Sequence, residues 1–93
     1  MDAEGRPVAA DMSGQIGSSF DNLETVLQQA GYSFANVVRL NYYTTSIEQF
    51  FAAYDQVIGR LGTADCVPAS TLTEVKALAF PGLMVEIEAT AVK

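Results

Sequence analysis

Apolar residues recur at three- and four-residue spacing in two stretches of this chain, and each stretch is followed by a segment with strand character. In the first, Met12, Ile16, Phe20, Leu23, Val26 and Leu27 form one stripe of an amphipathic helix. Asp11 stands where an N-cap acceptor belongs, Gly14 and Gly17 weaken the early turns, and Gly31 fits the left-handed residue that ends the helix. Asn36 to Thr45 is rich in β-branched and aromatic residues and reads as a strand. Its alternation sets Val38, Leu40 and Tyr42 on one face and Val37, Arg39, Asn41 and Tyr43 on the other.

The second stripe is Ile47, Phe50, Phe51, Tyr54, Val57, Ile58 and Leu61. Ser46-Ile47-Glu48-Gln49 has the form of a capping box at its start, and Gly59 and Gly62 mark where it frays and stops. Residues 62–68 read as a loop, Ser70 to Leu78 as a strand, Pro81-Gly82 as a turn and Leu83 to Val92 as a second strand, so the last two strands are expected to form a hairpin. Residues 1–10 read as a loop, with turn chemistry at Glu4-Gly5-Arg6-Pro7.

The order helix, strand, helix, strand, strand predicts an α+β fold. Right-handed crossovers put both helices on one face of a mixed sheet, giving a two-layer sandwich. The other sheet face is expected to carry apolar and Tyr residues and to need a partner subunit as cover. The 93 residues make a single domain over 1–93, too small to bury much of its own surface. With 49% hydrophobic residues, it is expected to hide surface in an oligomer.

Charge and composition narrow the chemistry. Five basic against eleven acidic side chains give a net charge of −6. There is no basic stripe to displace counterions, so a nucleic-acid partner is not expected. No apolar run approaches the ~20 residues that span a bilayer, so no membrane partner is expected either. A polar, acidic N-terminus unlike a signal peptide points to the cytoplasm. A single cysteine, Cys66, excludes an internal disulfide. The absence of histidine removes Ser-His-Asp and Cys-His nucleophile systems and His-based zinc sites. Chemistry is left to carboxylates, Tyr, Lys, Arg, hydroxyls, the thiol and the backbone. Cys66 has no basic neighbour in sequence to lower its pKa and reads as an inert thiol.

Several segments in order resemble the RidA/YjgF family of small trimeric imine deaminases. They are Asp21-Asn22-Leu23, the strand Val37-Val38-Arg39-Leu40-Asn41-Tyr42-Tyr43-Thr44-Thr45, the helix segment Phe50-Phe51-Ala52-Ala53-Tyr54, the opening Pro68-Ala69-Ser70-Thr71, and Val85-Glu86-Ile87-Glu88-Ala89-Thr90-Ala91-Val92. The resemblance implies a chorismate-mutase-like fold and a homotrimer with small-molecule sites in the clefts between subunits. It also implies hydrolysis of reactive imines or enamines to a carbonyl compound and ammonia, without a cofactor or metal. The acidic balance disfavours the RNA-cleaving role once attached to this family.

The resemblance makes Glu86 the carboxylate that positions or activates water, leaves Glu88 structural, and puts Ser70, Thr71 and the backbone at Leu72 in the substrate pocket. Spacing alone says only that Glu86 and Glu88 share a strand face roughly 7 Å apart. This chain departs from the family at Pro-Ala-Arg-Ser, where Ser70 replaces the arginine that holds a substrate carboxylate. A guanidinium gives two charged hydrogen bonds and a serine one neutral bond, so an altered substrate range is expected, or a non-catalytic binding module. Arg39 and Lys76 are the basic residues available to substitute. On the expected hairpin Ser70 and Glu86 lie on the order of 20 Å apart and meet only across a subunit boundary. Met1 to Pro7 resembles the loop after the family's first hairpin, so the chain is expected to be short at its N-terminus, by a misplaced start or by truncation.

Overall fold

The computed structural model describes residues 11–93; the expected loop over residues 1–10 lies outside the described residues. Helix α1 (Met12–Gln29) is followed by a short 3-10 turn (Phe34–Asn36), strand β1 (Val37–Thr44), helices α2 (Ile47–Ala52) and α3 (Asp55–Thr63), and strands β2 (Ala69–Glu74) and β3 (Val85–Ala91). The sheet has the order β2-β1-β3, with β1 parallel to β2 and antiparallel to β3.

The ends of α1 follow its sequence signals. Asp11 Oδ1 accepts from the Gly14 amide at 2.8 Å. At the other end Gly31 has φ +82°, and the Tyr32 and Gly31 amides donate back to the Leu27 and Gln28 carbonyls, the double closure that a left-handed residue permits. Met12, Ile16, Phe20 and Leu27 are buried and Leu23 partly so, whereas Val26, expected in the stripe, is exposed because it lies one step round the helix from Leu27. The stripe meets Leu40, Tyr42, Phe50, Val57 and Val85 in one core cluster, so all the helices cover the same sheet face.

Three expectations are corrected. The single second helix is two. At Ala53 and Tyr54 the amides donate three residues back, to Phe50 and Phe51, and this tighter winding turns α3 so that Val57 is buried while Phe51 and Ile58 face outward. In β1 a bulge between Val37 and Arg39 breaks the alternation, which turns Val37 inward and leaves Val38 exposed.

The third correction is topological: β2 and β3 do not pair with each other. They flank β1, joined by residues 75–84. Were they a hairpin on one side of β1, α1 would have no floor for its apolar stripe. Placed on the far side, β3 supplies Val85, fully buried, with Ile87 and Ala89 packed against the same core. The strands are also shorter than expected, because the β1–β2 ladder closes with the Val75 amide on the Thr44 carbonyl at 2.8 Å. Pro81-Gly82 does turn the chain: Gly82 has φ +83° and the Leu83 amide donates to the Phe80 carbonyl at 3.1 Å, the geometry that wants Gly third in the turn.

Candidate functional site

The register assigns every strand side chain to a face. Leu40, Tyr42 and Thr44 of β1 are buried towards the helices. Their β2 partners are Ser70, Leu72 and Glu74, and on β3 Ala89, Ile87 and Val85. Arg39, Asn41 and Tyr43 belong to the uncovered face, with Ala69, Thr71 and Thr73 on one side and Thr90, Glu88 and Glu86 on the other. That face is therefore polar, which corrects the expected apolar one: every second residue of β2 and β3 on this side is a threonine, a glutamate or an alanine.

On the helix side of the sheet, at the β2 edge, Tyr42, Phe50, Phe51, Tyr54, Ser70 and Leu72 line a pocket of about 100 Å³. Its wall is a cluster of rings, with Phe50 5.3 Å from Tyr42 and 5.8 Å from Tyr54 between centroids, and Phe51 5.6 Å from Tyr54. Burial, helped by the neighbouring Tyr54, pushes the Tyr42 phenol up to about 12, with the Ser70 hydroxyl pulling the other way. Tyr42 is thus a neutral hydroxyl at any ordinary pH. The Ser70 hydroxyl also donates to the Pro68 carbonyl over 3.5 Å, a long and weak contact. The sequence pattern places Tyr42 on a strand face and Tyr54 on a helical stripe without marking a pocket between them. The signal for a pocket was the Phe50-Phe51/Tyr54 spacing, which bunches rings on one helix face beside the serine strand.

On the uncovered face Glu88 Oε1 accepts from Asn41 Nδ2 at 2.9 Å and from the Tyr43 hydroxyl at 3.0 Å. The bond to Glu88 raises the Tyr43 pKa, because ionising the phenol would forfeit it beside a carboxylate. Arg39 donates to the Thr71 hydroxyl across the β1–β2 pair. Glu86, opposite Tyr43 in register, is exposed and has no hydrogen-bond or ion-pair partner among the described residues. The two glutamates share a face and differ in engagement: Glu88 is tied to its neighbours and Glu86 is open to solvent.

Of the residues singled out from sequence, Ser70 and Leu72 come together in the ring-walled pocket. Thr71 points to the other face and is held by Arg39, so neither belongs to that pocket, and Arg39 does not substitute there for a missing cation. Ser70 pairs with Leu40 and Glu86 with Tyr43, on opposite sides of β1. Three residues along the strands and two strand spacings put them roughly 14 Å apart, on opposite faces. The hairpin separation of about 20 Å is thereby corrected: a central strand and the sheet itself, not the length of a hairpin, stand between the two residues. Cys66 is buried, and burial pushes its thiol up. Among the described residues no cluster of His, Cys, Asp or Glu is suited to hold a metal, and no helix is long and apolar enough to cross a membrane.

Comparison with known proteins matches the whole chain, residues 1–93, to the family described as Endoribonuclease L-PSP. Protein DfrA of Myxococcus xanthus is 36% identical over 85 residues, which cover 91% of this chain and 63% of DfrA. The chain thus spans less than two thirds of the length of that curated relative. Among solved structures, Rv2704 of Mycobacterium tuberculosis, a member of the YjgF/YER057c/UK114 family, superposes with a TM-score of 0.81 at 35% identity, covering 89% of this chain and 69% of that one. YyfB of Yersinia pestis, a Rid-family protein of unknown function, superposes with a TM-score of 0.81 at 36% identity, covering 97% of this chain and 69% of that one.

Proposed function

This chain belongs to the endoribonuclease L-PSP family, the YjgF/Rid group, and on that premise we propose that it hydrolyses reactive imines or enamines to a carbonyl compound and ammonia. The observation that carries the reading is the unpartnered, solvent-facing Glu86 on a strand whose neighbouring carboxylate, Glu88, is already committed to Asn41 and Tyr43. Glu86 is the group free to orient a water and take its proton. In the reaction the water oxygen bonds to the C=N carbon as the π pair moves to nitrogen. The proton held by Glu86 is returned to that nitrogen to give the carbinolamine; the hydroxyl proton then passes by way of Glu86 to the nitrogen, the C–N bond breaks, and ammonia leaves as the carbonyl forms. No cofactor enters this scheme.

A second copy completes the site in this proposal. Ser70 and Glu86 lie on opposite faces of one sheet, so the Ser70 pocket of one subunit works with Glu86 of another in the clefts of a homotrimer. The substrate range is altered because Ser70 supplies one neutral hydroxyl where a guanidinium would grip a carboxylate. The proposal includes a cytoplasmic location, in keeping with a free Cys66 thiol.

The test is ammonia release from imines generated in situ by an amino-acid or amine oxidase. Glu86→Gln should lower the rate on the order of 10²–10⁴-fold, the range of a lost general base, while Glu88→Gln keeps most of it. An unchanged rate in Glu86→Gln would sink the mechanism. The lack of a cation beside Ser70 among the described residues favours a second reading, a trimeric binding module without turnover. It predicts metabolite binding with no product, and binding unaffected by Glu86→Gln.

A further inference from the structure

Among the described residues, no charged side chain lines the pocket under Ser70. Its lining is four aromatic rings, Leu72 and the Ser70 hydroxyl. Among the described residues the basic side chains are committed or remote: Arg39 bonds Thr71 on the far face of the sheet, Arg60 pairs with Asp21 at 2.7 Å, and Lys93 lies over the Tyr32 ring at 5.0 Å. Lys76 lies beyond the end of β2. The charged residues nearest the lining along β2 and α3 are acidic, and neither is part of it. Glu74 is two residues past Leu72 on the same face of β2, where its Oε1 accepts from the Ile47 amide at 2.8 Å. Asp55 directly follows Tyr54 in the first turn of α3.

A carboxylate placed here would lose its hydration and gain only one neutral hydroxyl. An alkyl group meets apolar and ring surface instead, and its burial there is favourable. The volume of about 100 Å³ matches roughly three waters and is smaller than the ~150 Å³ cavity known to hold a benzene. That sets the size of the group as a short, branched alkyl chain.

Resting on the imine-hydrolase reading above, we infer that the substrates of this site carry no carboxylate: they are imines of simple aliphatic amines, with the alkyl group seated against Leu72 and the rings and the C=N directed outward to the water. Hydrolysis consumes one water and yields the aldehyde or ketone and ammonia, with no net oxidation. The reaction that must supply such a substrate is the oxidation of a primary amine to its imine.

Valine and isobutylamine test this directly, because they differ only by the carboxylate. An amino-acid oxidase converts the first to its 2-imino acid and an amine oxidase converts the second to its aldimine. Ammonia release is then followed with and without the protein. The aldimine should be hydrolysed about ten-fold or more faster, relative to buffer, than the imino acid, and Ser70→Arg should reverse the order by supplying a charged, two-pronged contact. Leu72→Phe, which narrows the pocket, should raise KM for the isobutylamine product more than for the imine of ethylamine. Equal or faster turnover of the imino acid by the unmodified protein overturns the inference and leaves the hydrolase reading standing. Turnover that appears only in Ser70→Arg and only with the imino acid overturns it as well. No acceleration of either imine by either protein removes the hydrolase reading itself, and the inference with it.

Discussion

Gln15 holds the strand that carries Glu86. It sits in the first turns of α1, is only 4% exposed, and reaches the segment leading into β3. Its Nε2 donates to the Gly82 carbonyl at 2.8 Å and its Oε1 accepts from the Met84 amide at 2.7 Å. Two residues later comes Glu86. Gln15→Met keeps the length and apolar stem of the side chain and deletes both bonds. A buried group left without its partner costs about 1–3 kcal/mol. The Gly82 end is reached by water and takes the low value, whereas the Met84 end is half-buried and takes a middle one. The loss therefore comes to roughly 2–3 kcal/mol, a large part of the ~5–15 kcal/mol available to such a domain. In a chain of this size that lowers Tm by roughly 10–20 °C.

Urea unfolding followed by circular dichroism measures the loss, and hydrogen exchange should show the Met84 amide deprotected beyond the global change. Gln15→Glu sharpens the test. It keeps the acceptor for Met84 and sets a carboxylate oxygen against the Gly82 carbonyl, so the folded state favours the protonated acid and raises its pKa. A raised acid contributes stability that is complete below its unfolded pKa of about 4.3 and is lost as pH rises through the folded value. The deficit of Gln15→Glu relative to the unmodified protein should therefore shrink on acidification, and that of Gln15→Met should not. A Gln15→Met variant within about 0.5 kcal/mol of the parent, the range of an ordinary surface substitution, would refute the reasoning.

Two further outcomes follow from the same packing. Arg60 lies over the Phe20 ring at 5.7 Å and bonds Asp21 at 2.7 Å, with Glu24 at 3.7 Å; because Asp21 is largely solvated, Arg60→Met should cost only about 1–1.5 kcal/mol in urea unfolding, and Arg60→Lys should recover less than half of it. Tyr42, neutral in the fold up to about 12, favours the folded state fully below the free phenol value of about 10, and this contribution is lost as pH rises towards the folded value; alkaline stability should fall over that window and fall less steeply in Tyr42→Phe, and an unchanged slope in that variant would rule Tyr42 out as the cause.

Local patterns carried most of the fold. The 3.6-residue stripe of α1, its Asp11 cap and its Gly31 closure are visible in sequence because each depends on residues within a turn of one another. The Ser46 cap is equally local, with its hydroxyl accepting from the Gln49 amide at 3.2 Å. The pairing of β2 and β3 was not legible, since a Pro-Gly turn signals a reversal of direction and not the neighbour against which the returning strand lies. That choice belongs to α1, which needs Val85 and Ile87 beneath it. The break at Ala53 was hidden for a related reason: no helix breaker stands there, and the change in winding is imposed by burying Phe50 and Val57 together.

The candidate site divides along the same line. Alternation alone puts Glu86 and Glu88 on one face and cannot rank them, because strand periodicity carries no information about cross-strand partners. Rank comes from β1. Once β3 is antiparallel to β1, Glu88 stands opposite Asn41 and one diagonal step from Tyr43, the two side chains with donors to offer. Glu86 stands opposite Tyr43, whose hydroxyl is already spent on Glu88. A slip of two residues along β1 would keep every side chain on its face and change which carboxylate is held and which is open. The identity of the free carboxylate is thus set by register, and register here is fixed by the burial of Val85 and by Gln15 at the start of the strand. Chemistry at Glu86 and stability at Gln15 are for this reason coupled properties of one structural choice.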